Sequence, residues 1–253
     1  MDVNSINYFS PENNLKYCGS SQFKSFLRCP AQALAEIRGE WKREETTALL
    51  IGSYVDAWFE GTLATFKAEH PEIMKRDGTL KAEFIKADEI IARVSRDELF
   101  MRYMSGKKQV IRTGNIEGVP FKIKMDSYHN GKAIVDLKVI KDFEPLWNEE
   151  RGIRQDFIQY WGYDYQAAIY QAVEGNKLPF YICAVTKENI PDFDIIQIPQ
   201  AWIDSAMAII KNEIGIIDAY KRGELEAPRC EKCAYCRETK KLSRVKSADE
   251  LLV

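Results

Sequence analysis

Apolar residues recur at helical spacing over the first hundred positions and at strand spacing just beyond them. This switch of period sets the predicted order of elements. Between residues 20 and 38, Phe23, Phe26, Leu27, Leu34 and Ile37 form one stripe behind Ser20 or Ser21 as a cap, which predicts a helix. Residues 1–19 read as irregular. A second helix is expected over 48–64, then a loop over 69–81, where Pro71 and Asp77-Gly78 interrupt the pattern. A third helix over 82–104 is broken by Ser105-Gly106-Lys107-Lys108. Strands follow near 109–113, 119–128 and 133–140, then a long helix over 153–174. Strands over 180–186 and 193–198, with Asn189 and Pro191 in the turn, lead to a last helix over 200–222. This order predicts an α/β fold, a small central mixed β-sheet flanked by α-helices.

Composition changes the picture little. The chain has 253 residues, 45% hydrophobic and 29% charged, long enough for one large domain or two small ones. A net charge of −2 gives no global basic field, so any nucleic-acid contact must come from a local patch. No basic segment followed by an apolar run marks a secretory signal, and Lys211 and Glu213 interrupt the longest apolar stretch near the C-terminal end. A cytoplasmic protein with no membrane partner is expected. In a reducing compartment, clustered cysteines more often hold metal than form disulfides.

The chemistry concentrates in Val119 to Val139. Asp136 and Lys138 are two apart, so in a strand they share a face while Leu137 turns to the core. Carboxylate oxygens suit Mg²⁺, which keeps waters that can serve as nucleophile, and a neighbouring ammonium can orient that water or stabilise charge on a phosphate. For Asp126 to join them the hairpin needs an odd loop. A two-residue Asn130-Gly131 turn would oppose Asp126 to Val135, on the wrong face. A three-residue His129-Asn130-Gly131 loop with left-handed Gly131 would oppose it to Ile134 and keep one shared face. The plain alternative is a surface hairpin with its polar residues in water. Lys122 and Lys124 alternate with Asp126 and would suit phosphate contacts. Gln166 and Tyr170, four apart on a helix, could bond the lysine or a DNA backbone, or be an ordinary half-buried pair. Asp56 lies in an otherwise apolar helix, as a third metal ligand or a solvated position. With only His70 and His129 in the chain, a histidine-based catalytic triad is not expected.

The segment from Pro228 carries Cys230, Cys233 and Cys236 at two-residue gaps, a spacing that suits Zn²⁺ or an iron–sulfur cluster. Cys29 is the first candidate for a fourth thiolate and Cys18 the second, whereas Cys183 sits in an apolar run and reads as core. Arg229, Lys232, Arg237, Lys240, Lys241, Arg244 and Lys246 make this segment basic, and Tyr235 could stack on a base; a solvated end is the alternative. The expected division is a domain over 1–228 and a cysteine-rich basic tail over 229–253 that packs back through the metal or cluster site.

In this order, Cys29-Pro30, the helix from Gly52 to Asp56, Asp126, Asp136-Leu137-Lys138, Gln166 with Tyr170, and the C-terminal cysteines resemble the RecB-like branch of the PD-(D/E)XK nucleases, and within it phage-type exonucleases similar to the nuclease domain of exodeoxyribonuclease VIII. The resemblance implies a restriction-endonuclease-like core. It implies Asp126 and Asp136 as Mg²⁺ or Mn²⁺ ligands with the Leu137 carbonyl, Lys138 as catalytic lysine, and Gln166 and Tyr170 beside them. Asp56 stands where much of the family has a metal-binding histidine. Iron–sulfur members space their last cysteines more widely than this chain does. The expected activity is a metal-dependent DNA exonuclease acting at linear duplex ends, in phage or prophage recombination or repair beside a single-strand annealing recombinase. Rings occur among related exonucleases, so a homo-oligomer is compatible, though no residue signals one. A non-catalytic DNA-binding module and a structure-selective endonuclease on the same fold remain as alternatives.

Overall fold

The structure is a computed structural model that describes residues 2–149, 151–245 and 247–251; Lys246 of the basic tail lies outside them. In chain order the helices before the sheet are α1 (Pro11–Lys16), α2 (Ser20–Arg28), α3 (Pro30–Arg38), α4 (Thr47–Glu60), α5 (Leu63–Glu69), α6 (Ala82–Val94) and α7 (Glu98–Tyr103). Strands β1 (Lys107–Ile116), β2 (Val119–His129) and β3 (Ala133–Ile140) follow, then a small hairpin, β4 (Leu146–Asn148) and β5 (Ile153–Gln155). Helices α8 (Phe157–Trp161) and α9 (Tyr163–Glu174), strands β6 (Phe180–Thr186) and β7 (Phe193–Gln197), and helices α10 (Gln200–Arg222) and α11 (Ala234–Glu238) complete the order.

The main sheet runs β1-β2-β3-β6-β7, antiparallel except between β3 and β6, which pair parallel. That parallel pair requires a crossover, and α8 and α9 supply it. Both faces of the sheet are covered. Ile134, Ile140, Ile182 and Ala184 join the cluster formed with α2, α3, α9 and α10, whereas Val135, Leu137, Cys183 and Val185 join the one formed with α4, α6 and α7. Alternation along β3 therefore aims Asp136 and Lys138 toward α9 and buries Leu137 on the other side. This is the α/β fold expected, a mixed central sheet between helices.

Several helices break where their periodicity runs on. The expected helix over 20–38 is two, because Cys29 is extended (φ −158°) ahead of Pro30, which disfavours helical backbone at the residue before it. The cap of α2 is Gly19 rather than Ser20 or Ser21. The stretch 48–64 ends early at left-handed Gly61, and 82–104 is divided at Asp97, whose carboxylate accepts the Phe100 N–H and starts α7. The stretch 153–174 begins as β5, restarts at Asp156 as the cap of α8, and turns again at Gly162 (φ 64°) into α9. Residues 1–19, read as irregular, contain α1.

Candidate active site

The hairpin between β2 and β3 sets the site. His129 pairs with Ala133, so the loop has three residues, Asn130-Gly131-Lys132, with Gly131 left-handed (φ 65°). The odd length is the expected one, but the loop lies one residue further along than expected. Its register, continued past Ser127 and Val135, sets Asp126 opposite Asp136 rather than Ile134. There the ladder gives way, and Oδ2 of Asp126 accepts the backbone N–H of Leu137 at 3.0 Å. On the other side of β2, pairing with β1 skips the position facing Asp126: Lys108 pairs with Ser127 and Val110 with Met125, leaving Gln109 between them at φ 49°. A non-glycine residue in that region is strained by about 1 kcal/mol or more. Both neighbours of Asp126 in the sheet thus depart from regular pairing.

Asp136 is 2% exposed, and its two oxygens have different partners. Oδ1 accepts a hydrogen bond from Nε2 of Gln166 on α9 at 2.6 Å, and Oδ2 is ion-paired with the Lys138 ammonium. Burial works against the charge on Lys138, but the negative fields of Asp136 and its neighbours outweigh that, holding its pKa above the ordinary lysine range. Tyr170, one turn beyond Gln166, donates from its hydroxyl to the Lys124 carbonyl at 2.9 Å, tying α9 to β2. Asp56 on α4 faces the same cleft, whose volume is about 770 Å³ and whose walls include Asp126, Asp136, Lys138, Gln166 and Tyr170.

Asp56 and Asp126 share the cleft with Asp136, and both are pushed above the ordinary carboxylate range. Burial first, then Asp136 and Asp56, push Asp126 well above the usual carboxylate range. Burial and neighbouring Glu60 push Asp56 up to about 7. Oδ1 of Asp56 is buried and, among the described residues, has no hydrogen-bond partner. A divalent cation resolves both anomalies, by neutralising the clustered charge and by giving the orphaned oxygen a partner, so the hard oxygen donors fit Mg²⁺ or Mn²⁺. The set is open. Among the described residues, the groups of three or more ligand atoms lying within 4.8 Å of one another are Cys29, Cys230, Cys233 and Cys236, and exposed Glu45 and Glu72 with His70.

The lysines expected to meet a nucleic acid divide. Lys124 lines the cleft beside the rings of Tyr8 and Phe9, at 6.0 and 5.6 Å. Lys122 is 2% exposed, and its ammonium is bonded to the Tyr8 carbonyl and, at 2.7 Å, to Oδ1 of Asn14. Strand alternation placed it correctly along β2, but the N-terminal segment folds over it, so it anchors that segment instead of meeting a phosphate. Arg237, Lys240 and Lys241 are exposed beside the cysteine cluster and do not line the cleft.

Lys24 and Tyr163 line the cleft beside Lys138 and escaped the sequence reading. Lys24 on α2 donates to the Trp161 carbonyl at 3.1 Å and lies 5.0 Å from the centre of the Tyr163 ring; Lys138 lies 4.8 Å from the same ring. Burial, then the Lys138 charge, lowers the Lys24 pKa to about 7. In sequence Lys24 is indistinguishable from a solvated lysine on an amphipathic helix. Only the reversal at Gly162 brings Trp161 and Tyr163 over it.

The cysteines expected as ligands come together from distant parts of the chain. Cys29 lies between α2 and α3, and Cys230, Cys233 and Cys236 lie before and within α11. Cys18 and Cys183 are fully buried elsewhere.

A mixed sheet that presents two opposed aspartates, a lysine two residues on and a crossover helix clamping one carboxylate has the arrangement of a PD-(D/E)XK domain. Residues 19–239 match the family described as "PDDEXK-like domain of unknown function (DUF3799)", and the chain belongs to that family. Its structure is similar to the crystal structure of "Putative exonuclease" from Eubacterium rectale, with 44% identity and a TM-score of 0.95 over 99% of this chain and 98% of that one. Crystalline SSO0001 aligns over 76% of this chain and 85% of that chain at 12% identity and a TM-score of 0.27, too remote to bear on the fold. No curated protein matches. Among the described residues, no helix is long and apolar enough to cross a membrane.

Proposed function

We propose that this chain is a metal-dependent DNA exonuclease that hydrolyses phosphodiester bonds at the ends of linear duplexes. The observation that carries the reading is the Gln166–Asp136–Lys138 arrangement. One buried carboxylate is held from both sides, with Asp126 opposite it and an open cleft in front. A degenerate, purely DNA-binding relative would have no use for an ammonium kept charged in that place. The similarity to the Eubacterium rectale protein, described as "Putative exonuclease", supports action at ends, and the resemblance to phage-type exonucleases is the ground for proposing a role in recombination or repair beside a single-strand annealing protein.

Asp56, Asp126, Asp136 and the Leu137 carbonyl would hold Mg²⁺ or Mn²⁺, which when bound supplies an acidified water and charge neutralisation at the phosphate. The chain's own groups do the rest. Gln166 fixes the Asp136 carboxylate in rotation. The Lys138 ammonium, on the other oxygen of Asp136, is placed to orient the attacking water and to offset charge building on the phosphate oxygens. Tyr170 braces β2 through the Lys124 carbonyl, and the Lys124 side chain offers a cation to the strand backbone at the rim.

Digestion of end-labelled linear duplex and of covalently closed circular duplex, each with Mg²⁺ or Mn²⁺, tests this. Nucleotide release from linear DNA only, abolished in Lys138→Ala, is the expected result. Cleavage of the circle points to an endonuclease, and DNA binding without cleavage under either metal overturns the enzymatic reading.

A further inference from the structure

The thiol cluster has a geometry of its own. Sγ of Cys29 is 3.6 Å from that of Cys236 and 3.8 Å from that of Cys233; Sγ of Cys230 is 3.9 Å from that of Cys236. All four sulfurs lie within 4.8 Å of one another, and none is in a disulfide. A single Zn²⁺ with bonds of about 2.3 Å to four thiolates sets them on a tetrahedron with edges of about 3.8 Å. The outer thiolates of a [4Fe–4S] cubane each sit on a different iron, which separates them by roughly 6 Å. The iron–sulfur cluster implied by the resemblance therefore does not fit these residues, whereas one tetrahedral ion does.

The surroundings agree. The Cys233 N–H donates to Sγ of Cys230 at 3.3 Å and the Cys236 N–H to Sγ of Cys233 at 3.4 Å, so backbone amides are aimed at sulfurs that carry charge when a metal is bound. Between Cys230 and Cys233 the chain turns through Glu231 at φ 59°, a left-handed conformation in a residue that has no ease there. Such strain persists where surrounding bonds enforce it. The Arg229 guanidinium reaches the Cys236 carbonyl at 2.7 Å and Oγ1 of Thr239 at 3.0 Å, placing a cation beside four thiolates.

We propose that Cys29, Cys230, Cys233 and Cys236 hold one Zn²⁺ in a closed tetrathiolate site in place of an iron–sulfur cluster, and that this ion pins the C-terminal segment to the corner between α2 and α3. Cys29 and Cys236 are 207 positions apart, and the corner they grip carries cleft-lining residues on both sides, Lys24 and Ser25 on α2 and Glu36 on α3. With four protein ligands the site has no open position, so its role is structural. The assignment is independent of the nuclease reading, because none of its ligands lines the cleft.

The test is the metal content of the full-length chain, grown in iron- and zinc-replete medium and purified without oxygen so that no labile cluster is lost. Expected are about one zinc per chain, negligible iron and acid-labile sulfide, and no visible absorption band. Exchange of that zinc for Co²⁺ gives the intense visible bands of a tetrahedral thiolate complex. Titration with a mercurial releases the zinc as about four thiols react, and the Cys233→Ser/Cys236→Ser variant retains none. About four irons with matching sulfide, a single iron with a visible chromophore, or metal-free protein with four freely reactive thiols would each overturn the assignment. The wild-type measurements decide the matter even where the double variant fails to fold.

Discussion

Gln166 and Lys138 take opposite oxygens of Asp136, and this division of one carboxylate governs what single substitutions should do. Gln166→Ala frees Oδ1 and lets the carboxylate rotate, so kcat in Mn²⁺ should fall about tenfold with KM for DNA little changed, because the contact positions a ligand and does not bind the strand. Lys24 makes a different prediction. Its pKa is lowered from the ordinary 10.5 to about 7 in the folded chain, so between these values the unfolded chain binds more protons and stability rises with pH. Lys24→Met removes that penalty. Urea midpoints should show the variant more stable than wild type below pH 7, by about 1 kcal/mol after solvent screening of this partly exposed group, and the gain should vanish as pH approaches 10.5. Asp126, Asp136, Lys138, Gln166 and Tyr170 could be picked from the sequence because an ordered motif names them. Lys24, Tyr163 and the strain at Gln109 could not, since each depends on a neighbour brought in from a remote part of the chain. Lys122 was misjudged for the same reason: alternation fixes a side chain's face, not what folds over it.

At the scale of elements, strands were easier to read than helix boundaries. Helix α10 spans the residues its periodicity predicts, and so do β3 and β6, because each is an uninterrupted apolar pattern between turn residues. The breaks at Asp97 and Gly162 were hidden, since the apolar stripe continues through them while a single backbone conformation changes direction, whereas the break at Cys29 was marked by Pro30 and masked only by the continuing stripe. The Gly162 break matters most for the site. Its φ of 64° is left-handed, and a Cβ there would stand 2.9 Å from Cδ2 of Tyr165 and 3.0 Å from Cδ of Lys24. Gly162→Ala should therefore cost about 2 kcal/mol, from the conformation and the crowding together. Thermal melting should show a drop of roughly 5 °C. A variant that melts with wild type would mean that the turn between α8 and α9 adjusts freely and does not hold Lys24 in place. The loop between β2 and β3 makes the same point in milder form. Its odd length followed from the need for one shared face, but its starting residue did not, because sliding the loop by one residue preserves the parity of the pairing.

Across the whole molecule, the segments on either side of the sheet domain are each tied to it by contacts between residues far apart in the chain. The C-terminal segment docks on α3, where the Ala31 N–H donates to the Pro228 carbonyl at 3.1 Å and the thiol cluster forms. The N-terminal segment docks on β2 and α10. Lys122 is bonded to Tyr8 and Asn14, and Lys221, 9% exposed, donates to the Tyr17 carbonyl at 2.9 Å. An ammonium buried as deeply as Lys122 is tolerated only with its acceptors in place; burial already lowers its pKa to about 8. Deleting residues 2–15 removes both of its acceptors while leaving Tyr17 to Lys221. The loss should be about 2 kcal/mol, from the hydrogen bonds and buried contacts the segment makes, since the cover over the ammonium leaves together with its acceptors. In the full-length chain Lys122→Met should also destabilise, by leaving the Tyr8 carbonyl and the Asn14 side chain without their donor. In the deleted chain the same substitution should be nearly neutral, because the ammonium is then open to water and holds nothing in place. Chemical denaturation of the four proteins measures this coupling directly. A destabilising effect of Lys122→Met confined to the full-length chain would identify this lysine as the anchor of the N-terminal segment. Equal effects in both would show that the ammonium does not hold the segment, and would return Lys122 to the set of cations available to a DNA strand at the rim of the cleft.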